Sequence, residues 1–362
     1  MYSIYLLCIV YFYIAIKGSF KNSSFPLCYN IKYKYVGVED VEVKKIILIL
    51  IIVLSFSFFG CSNKSNNDAI LDTEVVVNDN EEESKEASNE VVEEKKDLLT
   101  SIDEVVEDVV GGYRDNISIY FKNLNTDEEY ILNEDTYYVA ASTTKIPLAM
   151  LILDKVNSGM LSLDDTISYI ETDYEEGTGS LAYLETIPDI TIDEALYLSI
   201  VESDNIAKNM LTRISRSSVT DYTRSFTGYS DIPYGNYITV RQFGIMLEKL
   251  YKNPDNDPYY EKLSNYMTRT IFHSGLDKYL DYSKVAHKIG TYYRYYHDVG
   301  IVYGEDPYIL VVMTKDIGEL GGDFDSDNDD EVYLLDGGDK AFDIIAKLSK
   351  GIYDAVEMSK DI

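Results

Sequence analysis

The sequence predicts an α+β domain, on three observations. An apolar helical period opens the globular part, strand patterns gather near both of its ends, and the stretch between them carries mainly helical periods. The opening helix is marked by Leu98, Leu99, Ile102, Val105, Val106, Val109 and Val110, which stop at Gly111-Gly112. Alternation at Ile117, Ile119 and Phe121 predicts a strand over Asn116 to Leu124. Asn125-Thr126-Asp127 is its turn and Glu129 to Leu132 the returning strand.

The next element is a helix beginning close to Ser142. Ile146, Leu148, Ala149, Leu151, Ile152 and Leu153 give its apolar pattern, and Pro147 belongs in its first turn, where a missing N–H costs nothing. Residues 154–190 read as loop-rich, broken by Gly177-Thr178-Gly179. A helix over Ile192 to Ile200 is opened by Thr191 and Glu194 as a capping box, and Ile206 to Ile214 continues as another. Thr239 to Lys252 places Phe243, Met246, Leu247 and Leu250 on one helical face. Val285 to Gly290 reads as a strand, Val299 to Tyr303 and Tyr308 to Thr314 as a hairpin, and Lys340 to Met358 as the closing helix.

Composition narrows the function. Among 362 residues, 63 are acidic and 32 basic, a formal charge of -31, which argues against a nucleic-acid partner because phosphate binding needs clustered Lys and Arg. Cys8, Cys28 and Cys61 all precede the globular region, which therefore has no disulfide and no thiol nucleophile. His273, His287 and His297 show no metal-ligand spacing, so no catalytic metal and no cofactor are expected. Asp323, Asp325, Asp327 and Asp329 lack the glycine and the final carboxylate of a calcium loop, and Asp323 to Glu331 reads as a solvated acidic loop.

Residues 1–60 form a signal or anchor region. Lys44-Lys45, the apolar run Ile46 to Phe59 and Gly60-Cys61 resemble a bacterial lipoprotein signal peptide over 43–60, in which Cys61 becomes the lipidated first residue. Phe58 and Phe59 depart from that pattern, and an uncleaved membrane anchor is the alternative. No methionine lies between Met1 and Met150, so translation is expected to start at Val43, with 1–42 an extension. Residues 61–97 are acidic and poor in apolar side chains, an expected disordered tether that holds the domain over 98–358 away from an extracytoplasmic membrane surface.

Ser142 and Lys145 stand three apart, on one face of the predicted helix. A serine at a helix N-terminus has free amides and the positive dipole end beside it, and a desolvated lysine can take its proton. Alone, the quartet reads more readily as a helix cap and a solvated lysine. The balance reverses when Ser142-Thr143-Thr144-Lys145 is taken with Ser203-Asp204-Asn205 and Lys288-Ile289-Gly290-Thr291, in that order. Together they resemble the three signature motifs of class A β-lactamases and penicillin-binding proteins.

The resemblance implies an antiparallel five-stranded sheet flanked by helices, with an all-helical lobe over roughly Leu151 to Thr270 inserted between its second and third strands. It implies a serine acyl-enzyme mechanism on a β-lactam or a peptidoglycan stem peptide. Ser142 is then the nucleophile, Lys145 its proton acceptor, and Ser203 the relay to the leaving nitrogen. Lys288 supplies positive charge facing the Ser203 hydroxyl and a substrate carboxylate, Asn205 binds the substrate amide, and the amides of Ser142 and Thr291, next to Gly290, form the oxyanion hole. The competing roles are a solvent-facing strand lysine for Lys288 and a helix cap for Asn205. Two departures stand out. Ile289 replaces a hydroxyl residue, with Arg294 either compensating or an exposed turn residue. No glutamate lies between Asn205 and Glu248, where class A β-lactamases place their deacylating base; Asp221 and Asp231 are the only carboxylates there. The expectation is acylation with slow release, or a penicillin-binding peptidase or acyltransferase, or a binding protein that has kept only the fold.

Overall fold

Asp97 accepts a hydrogen bond from the Thr100 amide at 3.1 Å and caps helix α1 (Leu98–Val110), which ends at Gly111, where φ is +53°. In this computed structural model the described residues are 97–360. The leader, Cys61 and the acidic tether lie outside the described residues. After α1 come β1 (Ile117–Asn123), β2 (Glu129–Leu132), β3 (Tyr138–Val139), α2 (Lys145–Asn157), β4 (Thr166–Ile167) and β5 (Ile190–Thr191). There follow α3 (Ile192–Val201), α4 (Asn205–Ser215), α5 (Val219–Thr227), β6 (Tyr237–Ile238), α6 (Val240–Lys252) and α7 (Tyr260–Met267). The chain closes through β7 (Val285–Tyr292), β8 (Tyr295–Val302), β9 (Tyr308–Lys315), β10 (Leu320–Gly322), β11 (Val332–Leu334) and α8 (Asp339–Ser359).

The main sheet is five-stranded and antiparallel throughout, in the order β2-β1-β9-β8-β7. The helical lobe α2 to α7 is inserted between β2 and β7, so the fold class is the expected one. On one face α1 and α8 pack down through Ile102, Val106, Leu348 and Ile352 onto Phe121, Leu310 and Val312. Gly351 lets the two helices approach: a Cβ there would sit 2.5 Å from Val105 Cγ1. On the other face α6 lies against the sheet through Phe243, Met246 and Leu247, with Gly244 making room for the ring of Tyr120. Helix α2 is buried at every position from Lys145 to Leu153, which is what a helix apolar all round requires. It is the axis of the lobe. Among the described residues no helix is long and apolar enough to cross a membrane.

Besides the short strands β3 to β6, β10 and β11, three longer elements differ from the sequence reading. Strand β8 begins at Tyr295, not Val299, and is buried at all eight positions, so it has no alternation to read. Its polar residues are satisfied internally: His297 Nδ1 accepts from the Thr314 amide at 3.0 Å, and Asp298 accepts from the Leu276 amide at 2.7 Å. Helix α5 buries only Thr220 and Thr223 and is held by its ends, Ser218 on the Asp221 amide and Gly228 at φ +81°. Helix α7 has only eight residues, too few for a helical period to stand out. The capping box at Thr191 and Glu194 is present, and a second joins Thr239 to Gln242.

Candidate active site

Ser142 lies on a single 3-10 turn, Ala141–Thr144, that leads directly into α2. The turn is tight because Ala141 takes a left-handed φ of +49° and Thr143 Oγ1 donates to the Ala140 carbonyl at 2.6 Å. A non-glycine residue in that region stores strain, and such strain tends to collect at functional sites. Ser142 remains partly exposed, while Lys145, one turn on, is 1% exposed. Lys145 Nζ reaches four acceptors: Ser142 Oγ at 3.0 Å, Ser203 Oγ at 3.0 Å, the Ser203 carbonyl at 2.6 Å and Asn205 Oδ1 at 2.8 Å. None is a carboxylate. Burial, followed by the nearby charges of Lys288 and Lys208, pushes the Lys145 amine down to about 6. A neutral amine has two N–H donors and one lone pair, so at neutral pH one of the two hydroxyls donates to it.

The second motif is held by a loop that closes over it. Asp204 caps α4 by accepting from the Ala207 amide at 2.8 Å, and it also takes the Leu181 amide at 2.9 Å. Burial keeps its carboxyl above the ordinary range. With Asp204 as the cap, Asn205 is free of that duty: its Oδ1 faces Lys145 and its Nδ2 donates to the Glu176 carbonyl at 3.1 Å. Ser203 stands at φ +55°, and its carbonyl also accepts Thr178 Oγ1 at 2.6 Å. Gly177 and Gly179 are forced: a Cβ on either would meet Asn205 Nδ2 at 2.8 Å or Asp204 Oδ2 at 2.1 Å.

Strand β7 brings the third motif alongside. Gly290 packs its backbone on the serine turn, where a Cβ would come within 2.8 Å of Thr143 Cγ2 and 2.9 Å of the Ala140 carbonyl. Lys288 is wholly buried, which excludes the solvent-facing role. Its amine is lowered to about 7 by burial, partly offset by Asp298, and it donates to the Ile289 carbonyl at 3.1 Å. The expected facing of Lys288 and the Ser203 hydroxyl is not a hydrogen bond here, because Ser203 Oγ meets Lys145. Thr291 is exposed just past Gly290. Arg294 does not stand in for the missing hydroxyl at Ile289: it is ion-paired with Asp316 and reaches Asp329 at 3.4 Å, and Tyr295 also donates to Asp329 at 2.6 Å. The end of the acidic loop is thus folded back on the sheet rather than solvated throughout.

Two further residues belong to the site and carry no motif. Glu175, ahead of the second motif, accepts from Lys208 Nζ and Asn209 Nδ2, both at 2.8 Å, and lies close enough for its charge to act on Lys145. Desolvation raises its carboxyl, but those two bonds more than offset it and hold it below the usual range. Asn236 accepts the Ala140 amide on its carbonyl at 2.7 Å and donates from Nδ2 to the Ala141 carbonyl at 3.2 Å; its buried Oδ1 has no partner. Glu175 precedes Asn205 in sequence, whereas a class A deacylating base follows it, and only the contacts with Lys208 and Asn209 single it out.

The arrangement places a hydroxyl, a neutral amine and a second hydroxyl in one chain of contacts at a helix start, which suits proton removal and acyl transfer. Comparison with known proteins agrees in kind. The sequence pattern of the beta-lactamase enzyme family matches residues 101–356. Beta-lactamase VEB-1 of Pseudomonas aeruginosa is 27% identical over 112 residues, covering 30% of this chain and only 37% of VEB-1. Among solved structures, PBP-A superposes with a TM-score of 0.60 at 20% identity, over 73% of this chain and 98% of PBP-A. A PBP-A mutant solved as an acyl-enzyme complex with penicillin G also gives 0.60 at 20% identity, over 72% and 97%. At such identities the likeness speaks for the fold alone.

Proposed function

Because the chain belongs to the beta-lactamase enzyme family, we propose that it is a serine hydrolase that is acylated at Ser142 by β-lactams and releases the acyl group slowly. The observation that carries this reading is Lys145 Nζ at 3.0 Å from both Ser142 Oγ and Ser203 Oγ, with no carboxylate bonded to it. Neutral Lys145 takes the Ser142 proton as Oγ bonds to the lactam carbonyl carbon. The developing oxyanion is held by the Ser142 and Thr291 amides. As the ring C–N bond breaks, the nitrogen takes a proton from the Ser203 hydroxyl, which Lys145 replaces. Asn205 holds the substrate amide, and Lys288 its carboxylate.

Release is the weak step. Water attack on the ester needs a base, and Glu175, the carboxylate whose charge acts most on Lys145, is occupied by Lys208 and Asn209. Asn236, which touches the serine turn at the Ala141 carbonyl, is an amide and cannot serve as that base. That same observation favours a second reading, a D-alanyl peptidase or acyltransferase on peptidoglycan stems, in which an acceptor amine rather than water takes the acyl group. In both readings Cys61 carries the lipid, and residues 61–97 hold the domain outside the cytoplasmic membrane. Cys61→Ser is expected to move the protein from the membrane fraction to the soluble one.

Intact-protein mass after incubation with penicillin G is the test. The expected result is one drug-sized adduct on the Ser142 peptide, absent in Ser142→Ala, that persists after free drug is removed. Rapid appearance of hydrolysed drug without an accumulating adduct overturns slow release. No adduct at any time overturns the enzymatic reading.

A further inference from the structure

On the face of β7 opposite the Lys288 side chain, a second group of side chains converges that acyl transfer does not use. We propose that His273, Asp277 and His287 bind a divalent transition-metal ion, with zinc the ion that their donor set suits best. This does not rest on acylation at Ser142.

The three ligand atoms lie within 4.8 Å of one another. His287 Nε2 stands 3.2 Å from Asp277 Oδ2, and His273 Nδ1 closes on the same carboxylate oxygen. Two ligands of one tetrahedral zinc, each at about 2.0 to 2.1 Å from the metal, are separated by about 3.3 Å, so the first pair already has the spacing of co-ligands. His273 and Asp277 are four residues apart in the loop that leads into β7.

An unsatisfied atom points the same way. His287 and Asp277 have side chains 0% and 1% exposed, and while His287 Nε2 faces Asp277 Oδ2 as an ion pair, Asp277 Oδ1 has no hydrogen-bond partner. A buried donor or acceptor without a partner is costly, and in native proteins it usually marks a missing ion or water. The other side of the imidazole is fixed: His287 Nδ1 meets both Asp298 oxygens at 2.9 Å. A carboxylate behind a histidine sets the tautomer that leaves Nε2 free for a metal. Asp298 is itself fixed by the amides of Leu276 at 2.7 Å and Val299 at 3.0 Å.

Charge agrees. Asp277 faces both His273 and His287, Asp298 faces His287, and a divalent cation in place of the imidazole protons would balance both buried carboxylates. His273, with its side chain 49% exposed, is the most solvent-accessible of the three. Two nitrogens and one carboxylate suit zinc, and thiolate-selective ions have no ligand here. A bound ion would tie the loop around His273 and Phe272 to β7. The Phe272 ring lies 5.7 Å from Lys288 Nζ.

The test is zinc binding by the purified full chain after chelator treatment and desalting, titrated with zinc chloride against a chromophoric chelator. The expected result is one equivalent bound with a Kd at or below about 1 μM and a thermal midpoint raised by zinc. His273→Ala, at a half-exposed side chain, is expected to keep the zinc-free midpoint and lose at least about tenfold in affinity, and Asp298→Asn to lose a similar factor. Should His273→Ala lose its fold, Asp277→Asn is expected to abolish the zinc-dependent rise in midpoint. Failure to retain one equivalent overturns the site, and so does binding equal in wild type and His273→Ala, which places the zinc elsewhere on this acidic chain. Penicillin labelling of Ser142 in chelator is read in parallel, so a failed acylation and a failed metal site are told apart.

Discussion

The serine corner and the outer face of β7 bury basic side chains under opposite conditions. At the serine corner Lys145 is surrounded by hydroxyl, amide and carbonyl oxygens, none of them charged. On the outer face His287 sits between the carboxylates of Asp277 and Asp298. The contrast shows what burial alone does not decide. With neutral partners a buried amine gives up its proton and becomes a base, and with carboxylate partners a buried imidazole is held as a charge or exchanged for a metal ion.

The sharpest way to break this contrast is to give the lysine a carboxylate. Asn205→Asp places one at the atom that now lies 2.8 Å from Lys145 Nζ. In the wild type, acylation requires unprotonated Lys145. The rate constant is therefore expected to rise tenfold per pH unit below about 6 and to level off above it, being lost as pH falls through that value. In Asn205→Asp the midpoint should move up by about 1 to 3 units, with a loss of roughly 10- to 100-fold at pH 7. Rapid-quench mass spectrometry across pH reads both. An unmoved midpoint would remove Lys145 as the base.

A smaller effect is expected from displacing β7 without touching charge. Gly290→Ala drives a methyl into Thr143 and the Ala140 carbonyl, and should slow acylation by about tenfold or more while leaving the pH midpoint in place. The smallest effects belong to charged residues already paired. Arg294→Ala should change acylation less than about threefold, since its guanidinium is bound to Asp316 and Asp329. Glu175→Gln should change release of the acyl group no more than that. A large fall in release would instead make Glu175 the water-activating base.

The serine corner is legible in the sequence because its chemistry is carried by contiguous residues, in which helix spacing and a proline fix the geometry. Ser142, Lys145, Ser203 and Asn205 meet as expected, and Gly290 explains itself once β7 is seen against the serine turn. Arg294 is not legible, because its partners, Asp316 and Asp329, come from β9's end and the acidic loop, which no local pattern links to it. The histidine cluster is hidden for a related reason. His273 and Asp277 share a loop, but His287 arrives from a strand, so spacing along the chain does not bring the three together. Strand β8 looks shorter in sequence than it is because a strand buried on both faces has no period.

The order of the sheet governs how a newly made chain reaches this state. Strand β1 pairs along its length with β9, Ile119 opposite Val312 and Phe121 opposite Leu310, with the whole helical lobe between them in sequence. Until β9 emerges, β1 and β2 form a bare hairpin with the β1 edge as well as the β2 edge open, and α1 has no α8 to rest on. Assembly must wait for the far end of the polypeptide, which makes it slow and leaves the early hairpin exposed to mispairing.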